Sequence, residues 1–99
     1  MLDFYILKDD QAKPNYPEHA ALKFAGEIDD VTFSNLQNKG IIDSRFGYYS
    51  DFRWETAVIT QIRKNILQKE MQNDTDVQQL IQILETADTE QSGLIAYGD

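Results

Sequence analysis

The stretch "SDFRWETAVITQIRKNILQKEMQN", residues 50 to 73, constrains this chain more than any other. Trp54, Val58, Ile62 and Ile66 recur every four residues and Ile59 and Leu67 widen the stripe, so the spacing predicts a helix with one apolar face. Ser50 or Asp51 is placed to cap its start, and Asn73 and Asp74 to end it. Such a helix requires an apolar surface elsewhere to cover its stripe. Ninety-nine residues are enough for one core, which predicts a single domain over residues 1 to 99.

The remaining segments supply that surface. "LDFYIL" at 2 to 7 mixes aromatic and branched residues and reads as a strand. "KDDQAKPNYPEHA" holds both prolines and reads as a loop, followed by a short second strand in "ALKFAGEI" at 21 to 28. "DDVTFSNLQNKG" predicts a short helix with Asp29 or Asp30 as its cap, Val31, Phe33 and Leu36 as its apolar residues, and Gly40 as its stop. "DVQQLIQILETA" predicts a third helix that opens under Asp74 or Thr75 and buries Val77, Leu80, Ile81 and Leu84. The expected class is α+β, with a small antiparallel sheet of N- and C-terminal strands packed against about three helices.

The chain ends in "DTEQSGLIAYGD", which has two readings. As a calcium loop of the EF-hand kind it would offer Asp88, Glu90, Ser92, the Leu94 carbonyl and Asp99 as ligands, with Gly93 at the sharp turn. Glu90 is longer than the aspartate usual at its place, Ala96 has no side-chain oxygen, and Asp99 replaces a long bidentate glutamate. The other reading is a Ser-Gly turn followed by "LIAY" as a strand that pairs with "DFYIL". The departures favour the strand, and no metal or cofactor is expected.

Charge narrows the function classes. The net charge is -8, and from Asp74 onward there are six acids and no base. That balance repels nucleic acid and anionic lipid, and it steers toward basic partners. Without cysteine there is no disulfide, thiolate site or cysteine nucleophile. The start "MLDFYILKDD" carries no basic leader and only a short apolar run, which predicts a cytoplasmic protein that does not span a membrane. Catalytic groups are sparse: His19 is the lone histidine, and the pairs Asp9 with Asp10 and Asp29 with Asp30 are explained as turn and cap residues. The chain is therefore expected not to be an enzyme.

"RFGYYSDFRW" at 45 to 54 holds five of the eleven aromatics and two arginines. Tyr, Trp and Arg carry most binding energy at protein interfaces. Phe46, Phe52 and Trp54 are equally explained as core, with Phe52 and Trp54 beginning the apolar face of the long helix; Tyr48 and Tyr49 are open between core and interface. The candidate partner-binding surface is Tyr48, Tyr49, Asp51, Arg53 and Trp54, joined by the acids Asp74, Asp76, Glu85 and Glu90. Oligomeric state is not specified by these patterns.

The run "NYPEHAALKFAGEIDDVTFSNLQNKGIIDSRFGYYSDFRW", through its "NYP", "LQNKGII" and "YYSDFRW", resembles a family of small acidic bacterial proteins similar to the immunity proteins encoded beside secreted polymorphic toxins. The resemblance implies a cytosolic antitoxin that binds and plugs a cognate toxin domain, often a basic nuclease. A structural or adaptor subunit of a larger assembly is the alternative.

Overall fold

A computed structural model describes residues 1–14 and 21–98. "NYP", His19 and Asp99 lie outside the described residues. In chain order the elements are β1 (Leu2–Leu7), β2 (Phe24–Ile28), α1 (Asp30–Asn38), β3 (Phe52–Trp54), α2 (Thr56–Gln68), α3 (Thr75–Thr89) and β4 (Gly93–Tyr97). The strands form one antiparallel sheet in the order β2-β1-β4-β3, so the fold is α+β with a small sheet.

The two ends of the chain make the centre of that sheet. Phe4 lies opposite Ala96 and Ile6 opposite Leu94, which is the pairing of "DFYIL" with "LIAY". Alternation along the strands then directs Leu2, Phe4, Leu94, Ala96, Phe52 and Trp54 to one face. These residues share a hydrophobic core with Ile59, Ile62 and Ile66 of α2, Leu80, Ile83 and Leu84 of α3, and Phe33 and Leu36 of α1. Gly26 on β2 lets α3 approach: its φ is +151°, and a Cβ there would stand 2.7 Å from Ile83 Cγ1.

The long helix is shorter than its periodicity suggests. Residues 52 to 54 are strand, and helix begins only at Thr56 and ends at Gln68, not at Asn73. Phe52 and Trp54 therefore belong to the sheet rather than to the helical face expected for them. "FRW" alternates apolar, charged, apolar and pairs with Ala96, Ile95 and Leu94. Trp54 is also four residues before Val58, and so it fits the helical stripe as well as the strand. Three residues are too few for period to decide.

The helix stops share one geometry. After α1, Gly40 N–H donates to the Gln37 carbonyl (3.0 Å) and Ile41 N–H to the Leu36 carbonyl (2.9 Å), with Gly40 at φ +75°. After α2 and α3 the same paired bonds form, but Glu70 and Gln91 take the left-handed position, each at φ +52°. The turn after α3 is thus centred on Gln91, ahead of the Ser-Gly pair expected there. A glycine signal marks one of three stops, which explains why only the first stop was legible, whereas the starts of α1 and α3 were legible from their capping residues Asp29 and Asp74.

Candidate functional site

The 41–56 segment, which links α1 to α2, is held in place by side chains from distant parts of the chain. Gln37 on α1 donates from Nε2 to the carbonyls of Phe46 (2.7 Å) and Asp43 (3.2 Å). Asp43 Oδ1 accepts the Arg45 amide (2.9 Å), the local turn expected where an aspartate opens a loop. Asn65 on α2 donates to the Ile41 carbonyl (3.3 Å) while its Oδ1 accepts from Gln61 (3.0 Å). At the other end Gly98 N–H donates to Asp51 Oδ1 (3.2 Å), and a Cβ on Gly98 would lie 2.4 Å from the Tyr48 carbonyl oxygen. The C-terminal chain thus lies directly against the Tyr48–Ser50 backbone.

Helix α2 is capped from outside its own sequence. Its N-cap residue Glu55 makes no side-chain cap bond. Instead Asp9, beyond β1, accepts the Thr56 amide on Oδ1 (3.0 Å) and the Thr56 hydroxyl on Oδ2. Neither Ser50 nor Asp51 is the cap, because the chain turns into β3 before the helix starts. The Arg53 guanidinium, donating to the carbonyls of Lys8 (2.6 Å) and Asp9 (3.0 Å), fixes the same loop. Thr56's hydroxyl and amide hold the Asp9 carboxyl below the usual carboxylate range, helped by Arg53 and opposed by desolvation.

This cap is testable. Asp9→Ala is expected to cost about 1 kcal/mol, the usual cost of losing a helix cap. Since Asp9 ionises more easily folded than unfolded, its contribution is complete above the ordinary carboxylate pKa and is lost as pH falls through the lower folded value. Thermal denaturation should show the variant's deficit at pH 7 shrinking below about pH 4. An unchanged melting temperature at pH 7 would remove Asp9 as the cap.

The nine residues proposed from sequence as one binding surface separate into groups. Trp54 is 1 % exposed, with its ring 5.1 Å from Phe4 and 5.9 Å from Phe46. It is core, and its place among the partner contacts is corrected. Tyr48 is half-buried against Phe33 (5.8 Å). Tyr49 is 69 % exposed and meets the Tyr48 ring edge-on at 4.9 Å. Asp51 is exposed beside them, while Arg53 is committed to the Lys8–Asp9 loop.

The acids of the C-terminal third lie apart from that group and from each other. Asp74 caps α3 through the Val77 amide (3.1 Å), and with Asp76 it holds the Lys39 ammonium at 2.8 and 3.0 Å. Lys39, with the Val77 amide, keeps the Asp74 carboxyl low, and the two aspartates raise the Lys39 ammonium. Glu90, at the far end of this 15-residue helix and thus about 24 Å away, pairs with Lys23, which lowers its pKa. Glu85 is exposed and has no ion pair among the described residues. Proximity in sequence brought these acids together only along a helix axis.

Among the described residues, 88–98 do not take the shape of a calcium loop. Asp88 and Glu90 belong to the helix end, where Asp88 pairs with Arg63, and Ser92 is buried. Gly93 and Leu94 are in β4, opposite Leu7 and Ile6, so the Leu94 carbonyl belongs to a sheet strand. Among the described residues no three His, Cys, Asp or Glu side chains are grouped to hold a metal ion. No described helix is long and apolar enough to cross a membrane.

Within 43–55 the exposed residues include Tyr49 and three acids, Asp43, Asp51 and Glu55, none of the acids in an ion pair among the described residues. Asp43 and Glu55 were not singled out from sequence. Their neighbours could have signalled them: the Asp-Ser-Arg turn at 43 to 45, and the strand-to-helix change after Trp54. No protein-family model, curated protein or solved structure matches this chain.

Proposed function

We propose that this chain is a non-enzymatic protein-binding domain, and that its specific role is that of an immunity protein which neutralises a basic toxin domain by direct binding. The observation that carries the reading is Tyr49, 69 % exposed in a turn whose backbone is fixed by Gly98, Asp51 and Gln37. A large aromatic presented on a preorganised backbone loses little entropy on binding, and an aromatic of this kind is a typical interface anchor. Asp43, Asp51 and Glu55 give the same segment negative charge on a chain of net charge -8, which accelerates encounter with a basic enzyme.

The binding surface is accordingly redrawn as Tyr49 and the exposed part of Tyr48 with Asp43, Asp51 and Glu55. Asp74, Asp76 and Glu90 act in it only through the long-range field, because each already has a cation beside it. The proposed site of action is the cytoplasm, where such a partner would be neutralised.

Tyr49→Ala is the discriminating variant. Affinity for a basic partner captured from source-cell lysate should fall by about tenfold or more, with the melting temperature nearly unchanged. Tyr48→Ala is expected to lower both, since that ring also packs on Phe33. Capture of a stable assembly whose binding ignores Tyr49 would make the chain an adaptor and overturn the toxin reading.

A further inference from the structure

We propose that the exposed face of the α2–α3 hairpin is the interface of a symmetric dimer, and that its occupant is a second copy of this chain, with α2 of each copy laid on α3 of the other. The inference is independent of the protein-binding reading above. It starts from Leu67, which belongs to the apolar stripe of α2 by its spacing and yet is 67 % exposed. Leu67 borders a groove of about 230 Å³ lined also by Arg63, Ile66, Gln72 and the half-buried Ile81 of α3. That is smaller than the pockets that enclose drug-sized ligands, and it suits one inserted leucine side chain.

The distribution of charge points to a second copy. Over 56–68 α2 carries Arg63 and Lys64 and no acid, whereas over 75–89 α3 carries Asp76, Glu85 and Asp88 and no base. Arg63 and Asp88 pair within the chain, while Lys64 and Glu85 are exposed and in no ion pair among the described residues. Lys64 stands three residues before Leu67 and Glu85 four residues after Ile81, so these two charges flank the apolar pair, one on each helix. Arg63 meets Asp88 at one level of the hairpin and Leu67 shares the groove with Ile81 at another. Lys64 and Glu85 both lie between those levels, and so at similar heights. A half-turn about an axis parallel to the helices keeps heights and exchanges sides. It brings Lys64 of each copy to Glu85 of the other, and Leu67 of each to the groove beside Ile81 of the other.

The same face lets two acidic chains approach. The charged groups on its two sides, Arg63 and Lys64 against Glu85 and Asp88, cancel on a chain of net charge -8. A strongly basic partner gains little from a patch whose charges cancel. A copy of the chain gains two Lys64–Glu85 pairs, because an isologous interface repeats each contact. Exposed ion pairs contribute little to affinity one by one, so these fix the register, while burial of Leu67 and Ile81 supplies the attraction.

The test is sedimentation equilibrium of the intact chain from about 10 μM to about 1 mM, over which the weight-average mass should rise from that of one chain toward that of two. Leu67→Ser, Lys64→Glu and Glu85→Lys should each weaken self-association by about tenfold or more. All three positions are exposed, so melting temperatures at low concentration should stay near wild type and verify folding. Mixing the Lys64→Glu and Glu85→Lys chains should restore association. Each variant alone sets like charges against one another at both crossed positions, and the mixed dimer sets opposite charges there. A single-chain mass at the highest concentration, self-association that ignores the three substitutions, or charge variants that fail to associate on mixing would each overturn the proposal. No toxin or other partner enters this measurement, so its failure is separate from a failure of the Tyr49 experiment.

Discussion

Trp54→Ala is expected to lower the melting temperature by on the order of 20 °C, because it removes the largest fully buried side chain of the protein. Truncating a buried tryptophan costs about 3–5 kcal/mol, and a domain of this size holds only about 5–15 kcal/mol in total. The indole bridges the sheet and the 41–56 segment: its ring lies 5.1 Å from Phe4, 5.4 Å from Phe52 and 5.9 Å from Phe46. Partner binding would then be lost with the fold, and an Ala scan that reported binding alone would wrongly score Trp54 as an anchor. Trp54→Phe separates the two effects. The indole Nε1 is buried and has no hydrogen-bond partner among the described residues, so phenylalanine loses some contact but also removes an unsatisfied donor. It should recover most of the lost stability. A near-native melting temperature for Trp54→Ala, with binding lost, would return Trp54 to the interface.

Gly93→Ala is expected to cost about 2–4 kcal/mol, through crowding at the point where β4 passes the start of α2. A Cβ at Gly93 would lie 2.6 Å from the Trp54 carbonyl oxygen, 2.9 Å from Asp9 Oδ1 and 3.2 Å from Glu55 Cα. Two of these are backbone atoms, which no rotamer change can move. The methyl must displace either the β3–α2 junction or the Asp9 carboxylate that caps α2. If the Asp9 loop yields, Asp9→Ala and Gly93→Ala disrupt one shared feature, and the double variant should be less destabilised than the sum of the singles. Urea denaturation of the four proteins measures this coupling. Strict additivity would show that the strand junction moves instead, and a wild-type stability for Gly93→Ala would contradict the close approach itself.

The same glycine shows why sequence reading reached the fold more easily than the site. Gly93 has two sequence explanations, a turn around a cation or a turn before a strand, and neither is its actual reason. It is glycine because two other segments, the β3–α2 junction and the Asp9 loop, meet there. The candidate site has the same character. The aromatics at 45 to 54 were visible as a cluster, yet whether each ring faces in or out depended on β3, a three-residue strand that exists only because β4 lies beside it. Trp54 thereby went to the core and Tyr49 to the surface.

α2 makes the point for stability. Six of its thirteen residues, Thr56, Val58, Ile59, Thr60, Ile62 and Ile66, are β-branched and have modest helix propensity. Its stripe still announced a helix, because Ile59, Ile62 and Ile66 are buried in the core at helical spacing. Its start was not announced, because the capping carboxylate comes from Asp9, 47 residues away.

Local periodicity in the sequence was sufficient for the α+β class and for three helices, since each depends on residues within a few positions of one another, whereas the pairing of the first and last strands joins opposite ends of the chain and was legible only as two apolar runs able to pair. The net charge of -8 was likewise readable without a structure. Tertiary structure alone decided which acids are already neutralised and which aromatics are buried. Those properties arise where Lys39 meets Asp74, Gln37 meets Phe46 and Gly98 meets Tyr48, and contacts between segments far apart in the chain leave no period in the sequence to read.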